Sequence, residues 1–311
     1  MQLSLMIEGQ NGVSWPEWLA LAQACESSQI QTLFRSDHYL NLGGSDAGSL
    51  DAWGTVCALA AATRTLRLGT MVSPATFRHP SELAKLVTTA DHVSGGRVEL
   101  GLGAGWNEPE HAGYGFPFPP LKTRMDVLEE QLQVVLGNWS PGPFSFSGGH
   151  YTLDALVARP RPVQDPHPPL LMGGAAGPRA ARMAARYADE YNVVYPTVEQ
   201  ARERRARVVS ACEAVAREAM AFSVMTAVVV GEDDASVAAR AALVEQRAGL
   251  ESGLLTRDPP SGWIIGTIDS VASQLRALGE VGVDRVLCQH LAHEDTEMVA
   301  LLGERVAPLV A

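Results

Sequence analysis

The stretch FRSDHYLNLGG, Phe34 to Gly44, ends a short apolar run with Arg35, Ser36, Asp37 and His38. A packed core gains nothing from four polar groups in a row, so the end of this run is a candidate site. An imidazole beside a carboxylate offers three chemistries. His38 is a general acid/base near neutral pH, a hydrogen-bond donor to a bound ring, or a solvent-facing histidine. A second stretch, GGAAGPRAARMAARYA from Gly173, sets glycines between an apolar run and a helical pattern. Glycines there let backbone approach a ligand, and the unpaired amides of a helix start favour an anion such as phosphate without any lysine. The plain alternative is a turn that only joins strand to helix. A third, LGTMVSPATFRHP (68–80), closes with small residues and a proline, leaving room for a flat ring against the backbone. Arg78 in it is equally a salt-bridge partner that holds the loop. Glu108 and Glu110 look like paired carboxylates but are read as solvated loop residues.

Other chemistries have no matching pattern. The eight histidines show neither HxxxH nor HExxH spacing, so no metal site is expected. There is no GxSxG elbow and no GxxxxGK[ST] loop. Cys25, Cys57, Cys212 and Cys288 are scattered without CxxC spacing and read as reduced core thiols.

These residues are positioned by alternating elements. Apolar runs at 3–7, 32–36, 66–72, 98–103, 170–173, 190–195, 222–230 and 284–291 are each followed by a helical pattern. The first helix is opened by Ser14, with Glu17 three residues on as a capping box. Eight strand-then-helix units predict an α/β fold, a (β/α)8 TIM barrel with insertions on the C-terminal face. No linker is visible, so residues 1–311 read as one domain. The long connections are 106–122, 140–169 and 249–263. Ser147-Gly148-Gly149 resembles a hairpin turn in the second, and the third is a candidate lid. On a barrel, Asp37, His38, Ser73, Asn107, Gly173, Gly174, Tyr195, Gln289 and His290 all fall at C-terminal strand ends, around one central pocket.

Composition bounds the partners. A chain of 311 residues with 46% hydrophobic and 19% charged residues suits a globular enzyme, and a net charge of −11 with no basic stripe argues against nucleic acid. No window reaches the ~20 apolar residues of a membrane span, and the N-terminus has no signal-peptide pattern. A cytoplasmic protein acting on a small-molecule substrate is expected.

Taken together, SDHY (36–39), LGTMVSPATFRHP (68–80), GLGAGWNEPEH (101–111), GFPFPPLKTRMDVLEE (115–130), LLMGGAAGPRAARMAARYAD (170–189) and DRVLCQHL resemble the luciferase-like flavin/deazaflavin oxidoreductases, particularly the branch using coenzyme F420. The resemblance covers nearly the whole chain. It implies a barrel with the deazaflavin in its mouth and the phosphate at the amides of Gly173, Gly174 and Ala175. Asp37 would touch the ring-and-ribityl region and Asn107 a polar edge of the cofactor. Met71, Val72 and Ser73 would support the ring, with a non-proline cis peptide at Met71–Val72 or its neighbour. His38 matches the acid/base position of the family's sugar-phosphate dehydrogenases. Their loop glutamate falls near Ala104 here and their tryptophan is replaced by Leu42, so glucose 6-phosphate is not the expected substrate. The implied activity is hydride transfer between F420 and a C=C, C=N or C=O group, with a homodimer as the implied assembly. Two other readings stay open: an FMN-dependent monooxygenase on the same fold, and a non-catalytic cofactor-binding barrel.

Overall fold

The computed structural model describes residues 1–41 and 47–311. Leu42 therefore lies outside the described residues. The chain runs through β1 (Gln2–Ile7), α1 (Trp15–Ser28), β2 (Thr32–Arg35), α2 (Ala52–Ala62), β3 (Arg67–Thr70), β4 (Ser73–Pro74), α3 (Pro80–Ser94) and β5 (Val98–Gly103). It continues through α4 (Glu108–Tyr114), α5 (Leu121–Trp139), β6 (Phe144–Ser147), β7 (Thr152–Leu156), β8 (Leu170–Gly173), α6 (Pro178–Tyr187), β9 (Glu190–Val194) and α7 (Val198–Glu213). It closes with β10 (Ala221–Gly231), α8 (Asp234–Ala248), α9 (Leu254–Arg257), β11 (Ile264–Thr267), α10 (Ile268–Glu280), β12 (Arg285–Gln289), α11 (Thr296–Ala300), a π-helical turn over Leu301–Val306, and α12 (Ala307–Val310).

Strands pair in parallel in the order β1-β2-β3-β5-β8-β9-β10-β12, and β12 returns to β1 with Leu3 opposite Val286. This is a closed eight-stranded barrel ringed by helices, the TIM-barrel architecture. The strands read as unbroken apolar runs because side chains on both faces are covered, by the barrel interior on one side and helices on the other. At the start of α1 the Ser14 amide and hydroxyl both reach Glu17 Oε2, at 2.7 and 2.6 Å.

Two layers fill the barrel interior. Toward the strand starts, Arg285 lies between Glu99 and Glu190, with its guanidinium 4.9 Å from the centre of the Phe34 ring. Above it Met6, Phe34, Met71, Leu171, Met225 and Leu287 form an apolar layer that reaches the C-terminal mouth.

The long connections hold more structure than their composition predicts. Residues 106–122 contain α4, whose start is capped by Asn107. Rings from this segment pack onto Tyr39 and Phe77, with Phe77 and Phe116 centres 4.7 Å apart. The predicted hairpin is present as β6 and β7, with Ser147 opposite Thr152. The 249–263 segment contains α9 and leads into β11, an extra strand that pairs with β10 outside the closed ring. No helix among the described residues is long and apolar enough to cross a membrane.

Candidate active site

A cavity of about 890 Å³ opens at the C-terminal mouth. Its walls are mostly apolar, including Met6, Met71, Val72, Met125, Leu128, Met172 and Met225. That size and lining match a pocket for a ring cofactor with a small ligand. The charged side chains that line it, among the described residues, are Glu8, His38 and Arg179.

His38 lines the cavity, and its Nδ1 is 2.8 Å from Glu110 Oε2. Its ring meets Trp106 edge-on at 5.6 Å. Glu110, expected to be solvated, is instead fully buried. Its other oxygen accepts the amides of Tyr39 and, at 3.0 Å, Leu40. Asn107 caps α4 and places Glu110 three residues in, its amide within 3.4 Å of Asn107 Oδ1. The Asn-x-x-Glu spacing is a capping signal that sequence alone could have used to find this carboxylate. Glu108 stays exposed. One carboxylate thus fixes both the imidazole and the backbone that carries it, and Nε2 has no hydrogen-bond partner among the described residues.

Burial works to depress the His38 imidazolium, but the hydrogen bond and charge of Glu110, aided by Glu8 and Asp37, outweigh it and raise its pKa above the ordinary value. Burial likewise pushes Glu110 up, yet the His38 contact and the two amides bring it below the usual carboxylate range. The signs fix the pH window. A histidine raised on folding adds stability that is complete below its unfolded pKa of about 6.5 and lost as pH rises through the folded value. A glutamate lowered on folding adds stability present above about 4.3 and lost as pH falls through its folded value. The pair therefore contributes most between about pH 4.3 and 6.5. Glu110→Gln is expected to lower the His38 pKa, seen by NMR as the imidazole resonances titrating at lower pH. An unchanged midpoint would show that Glu110 does not control the ring.

The expected cofactor residues fall into two groups. Met71, Val72, Gly173, Gly174 and Ala175 line the cavity, and the Met71–Val72 peptide is cis. Asp37, Ser73 and Asn107 are buried behind the wall and do not line it. Asp37 Oδ2 receives Arg78 Nη1 at 2.6 Å and the Ser73 hydroxyl at 2.7 Å. Arg78 also reaches Asp51 at 2.8 Å, which is the loop-holding salt bridge. This ion pair fixes the loop between β4 and α3 to the end of β2, so Asp37 has a structural task. Asn107 is occupied as the α4 cap.

The glycine motif also works differently in part. The Gly174 amide donates to the Asn192 carbonyl at 3.0 Å, and the Ala176 amide to the Tyr191 hydroxyl at 3.0 Å. Neither is available to a phosphate. The start of α6 is: no side chain caps it, unlike α7 and α8, and Gly177, Pro178, Arg179 and Ala180 line the cavity. A side chain at Gly177 would meet open space, so room for a ligand exists there. Gly103 and Gly173 serve the wall itself. A Cβ at Gly103 would sit 2.7 Å from Val72 Cγ2, and one at Gly173 3.1 Å from Val72 Cγ1. At Gly101 a Cβ would also collide with the Thr70 carbonyl. These three glycines let Val72 tuck into the mouth.

Of the remaining strand-end residues, Tyr195 and Gln289 reach the cavity while His290 does not. His290 is sealed in, its Nε2 3.0 Å from the Asp295 carbonyl, and burial pushes its pKa down to about 4. Glu8 and Gln10, just past β1, went unnoticed in sequence although the strand-end position was itself the signal. Glu17, His293 and Glu294 bring ligand atoms within 4.8 Å of one another, but Arg247 pairs with Glu294 and lies 3.3 Å from His293 Nδ1.

The fold and site find matches among known proteins. Residues 1–285 match the family model for luciferase-like monooxygenases. An FMNH(2)-dependent dimethylsulfone monooxygenase of Pseudomonas putida is 29% identical, over 81% of this chain and 76% of that protein. An F420-dependent glucose-6-phosphate dehydrogenase of Nakamurella multipartita is 28% identical, over 93% of this chain and 90% of the other. In structure, the monooxygenase RslO1 from Streptomyces bottropensis superposes with a TM-score of 0.86 at 22% identity, over all of both chains. The F420-dependent tetrahydromethanopterin reductase of Methanopyrus kandleri superposes at 0.81 with 18% identity, again over both whole chains.

Proposed function

The chain belongs to the luciferase-like monooxygenase family, whose relatives use either F420 or FMN, and on that premise we propose that it is an F420-dependent oxidoreductase acting on a small organic substrate. The observation that carries this is the His38–Glu110 couple at the cavity wall, with Nδ1 engaged at 2.8 Å and Nε2 without a hydrogen-bond partner among the described residues. A pocket that serves hydride transfer to a C=O, C=N or C=C group needs one positioned proton donor, and His38 is such a group.

The residues present fit a deazaflavin. The uncapped start of α6 suits its phosphate, and the apolar wall of Met71, Val72 and Met172 suits its ring. When bound, the cofactor supplies a hydride equivalent to the substrate carbon. His38 gives its Nε2 proton to the substrate atom that gains electrons, while Glu110 holds the ring's tautomer and stabilises its protonated form before transfer. Trp106, 61% exposed at the rim, stands where a bound ligand would cover it and exclude water.

One observation favours FMN and oxygen chemistry instead. Arg179 is the one Lys or Arg lining the cavity among the described residues, and it is already paired with Asp126 at 2.7 Å and Glu129 at 3.0 Å. F420, with its longer and more anionic side chain, calls for more cations than FMN. Titration of the protein with each cofactor, followed by fluorescence, separates the readings. Binding of F420 at least tenfold tighter than FMN is the expected result. The reverse order moves the function to an FMN-dependent monooxygenase, and binding of neither sinks both.

A further inference from the structure

The barrel order places β8 and β1 four strands apart, so the anion-binding start of α6 and the residues after β1 face each other across the mouth. On the β1 side the lining turns polar. Glu8 accepts the Gln289 carboxamide at 2.5 Å on one oxygen and the Gln10 carboxamide at 2.7 Å on the other. Each carboxamide is itself held. The Ser36 hydroxyl donates to Gln10 Oε1 at 2.5 Å, and the Tyr195 hydroxyl donates to Gln289 Oε1. Gln10, Ser36, Tyr195 and Gln289 all line the cavity with Glu8. The result is a carboxylate held rigidly at the wall of an apolar chamber, with no Lys, Arg or His in ion-pair contact among the described residues.

This arrangement has a chemical consequence. A carboxylate has about four acceptor positions, and the two amides use two of them. Neutral amide donors fix its orientation without cancelling its charge. Among the described residues no lysine or arginine lines that side of the cavity to receive an anion, since Arg179 lies across the mouth at α6. Phosphorylated or carboxylated substrates are therefore repelled there, and a cation is attracted through a wall of low polarity, where charges act strongly. His38 stands on the same side, at the end of the neighbouring β2, so a ligand held by Glu8 lies within the ring's neighbourhood.

We propose that Glu8 is the substrate-recognition carboxylate of this cavity, and that the substrate carries a protonated aliphatic amine which Glu8 holds while His38 faces the reacting group. This rests on the reading of the cavity as an oxidoreductase site and names the substrate class for it. Gln10 and Gln289 are positioning residues that keep both oxygens aimed at the chamber.

The test uses three probes of matched shape: benzylamine, benzyl alcohol and benzoate. Each is titrated calorimetrically into the full-length, cofactor-loaded protein at pH 7, alongside the cofactor titration itself. Benzylamine is expected to bind at least tenfold more tightly than benzyl alcohol, with benzoate weakest. In Glu8→Gln, nearly isosteric, the amine preference should shrink to within twofold while cofactor affinity stays the same. Benzyl alcohol or benzoate binding as tightly as benzylamine to the wild type overturns the proposal, as does a preference that survives in Glu8→Gln. If the variant does not fold, the order of the three probes on the wild type decides. If neither cofactor binds, the reading of the cavity as an oxidoreductase site fails, and the same series without cofactor still decides the role of Glu8.

Discussion

Replacing His38 by alanine is expected to lower turnover by about 10²–10⁴-fold, the usual contribution of a positioned general acid, while the cofactor dissociation constant changes less than about twofold. The split follows from geometry. His38 lines the cavity on the β2 side, whereas Met71 and Val72, proposed to face the ring, and the start of α6, proposed for the phosphate, follow other strands. Removing the imidazole leaves those walls in place and takes away the one histidine that lines the cavity among the described residues. It also leaves Glu110 buried with one oxygen still bonded to the Tyr39 and Leu40 amides, so some loss of thermal stability should accompany the loss of rate. Single-turnover oxidation of the reduced cofactor by an accepted substrate, together with the cofactor titration, measures both. A variant with unchanged turnover would remove His38 from the chemistry. One that lost cofactor affinity in proportion would make it a binding residue instead.

The second large effect concerns the barrel floor. Arg285→Met is expected to destabilise the fold by about 3–5 kcal/mol at pH 7, because it leaves buried carboxylates without their shared cation. Arg285 donates to Glu99 at 2.9 Å and to Glu190 at 2.5 Å, and all three side chains are buried. Arg285 lowers both carboxyls, yet their net shifts have opposite signs. Burial raises both, but Glu99 also receives Arg67 Nε at 2.7 Å and ends below the ordinary range, while for Glu190 burial wins and its pKa is raised. Removing Arg285 takes a lowering charge away from both, so Glu190 rises further and Glu99 rises from its lowered value. Protons then bind more readily to the folded state than to the unfolded one, so the variant's deficit should shrink as pH falls toward about 5 and grow above it. Urea unfolding of wild type and variant at pH 5 and pH 8 checks the sign. Adding Glu190→Gln should recover part of the loss at pH 8. A deficit independent of pH would mean that lost packing over Phe34, not uncompensated charge, is responsible.

Both predictions depend on the same feature of a barrel, in which residues far apart in sequence share a small enclosed space. Glu99, Glu190 and Arg285 meet because they sit at the starts of β5, β9 and β12, and no local pattern reveals that triad. What the sequence determined by itself was set by local physics. The unbroken apolar runs and the helical spacing after each gave eight βα units and hence the barrel, and the hairpin at 147–149 followed from its turn residues. The strand-end rule brought His38, Tyr195 and Gln289 to one mouth. The Met71–Val72 cis bond came from resemblance to the family and not from any propensity of those residues.

Tertiary structure decided the remainder, because burial and charge pairing are set by neighbours that the chain does not keep nearby. Glu110 looked like a solvated loop residue until the α4 turn carried it 72 positions back along the chain to His38. Asp37, beside that histidine in sequence, points the other way and is consumed by Arg78, since successive residues at a strand end face opposite sides. The Gly174 amide was lost to Asn192 because β8 and β9 are neighbours in the barrel, which leaves the uncapped start of α6 as the proposed place for an anion. Glu8 became a candidate contact only when Gln10 and Gln289, from opposite ends of the chain, closed on its two oxygens. Strand ends are legible from pattern; which side chain turns inward, and what partner it finds there, is fixed only when the barrel closes.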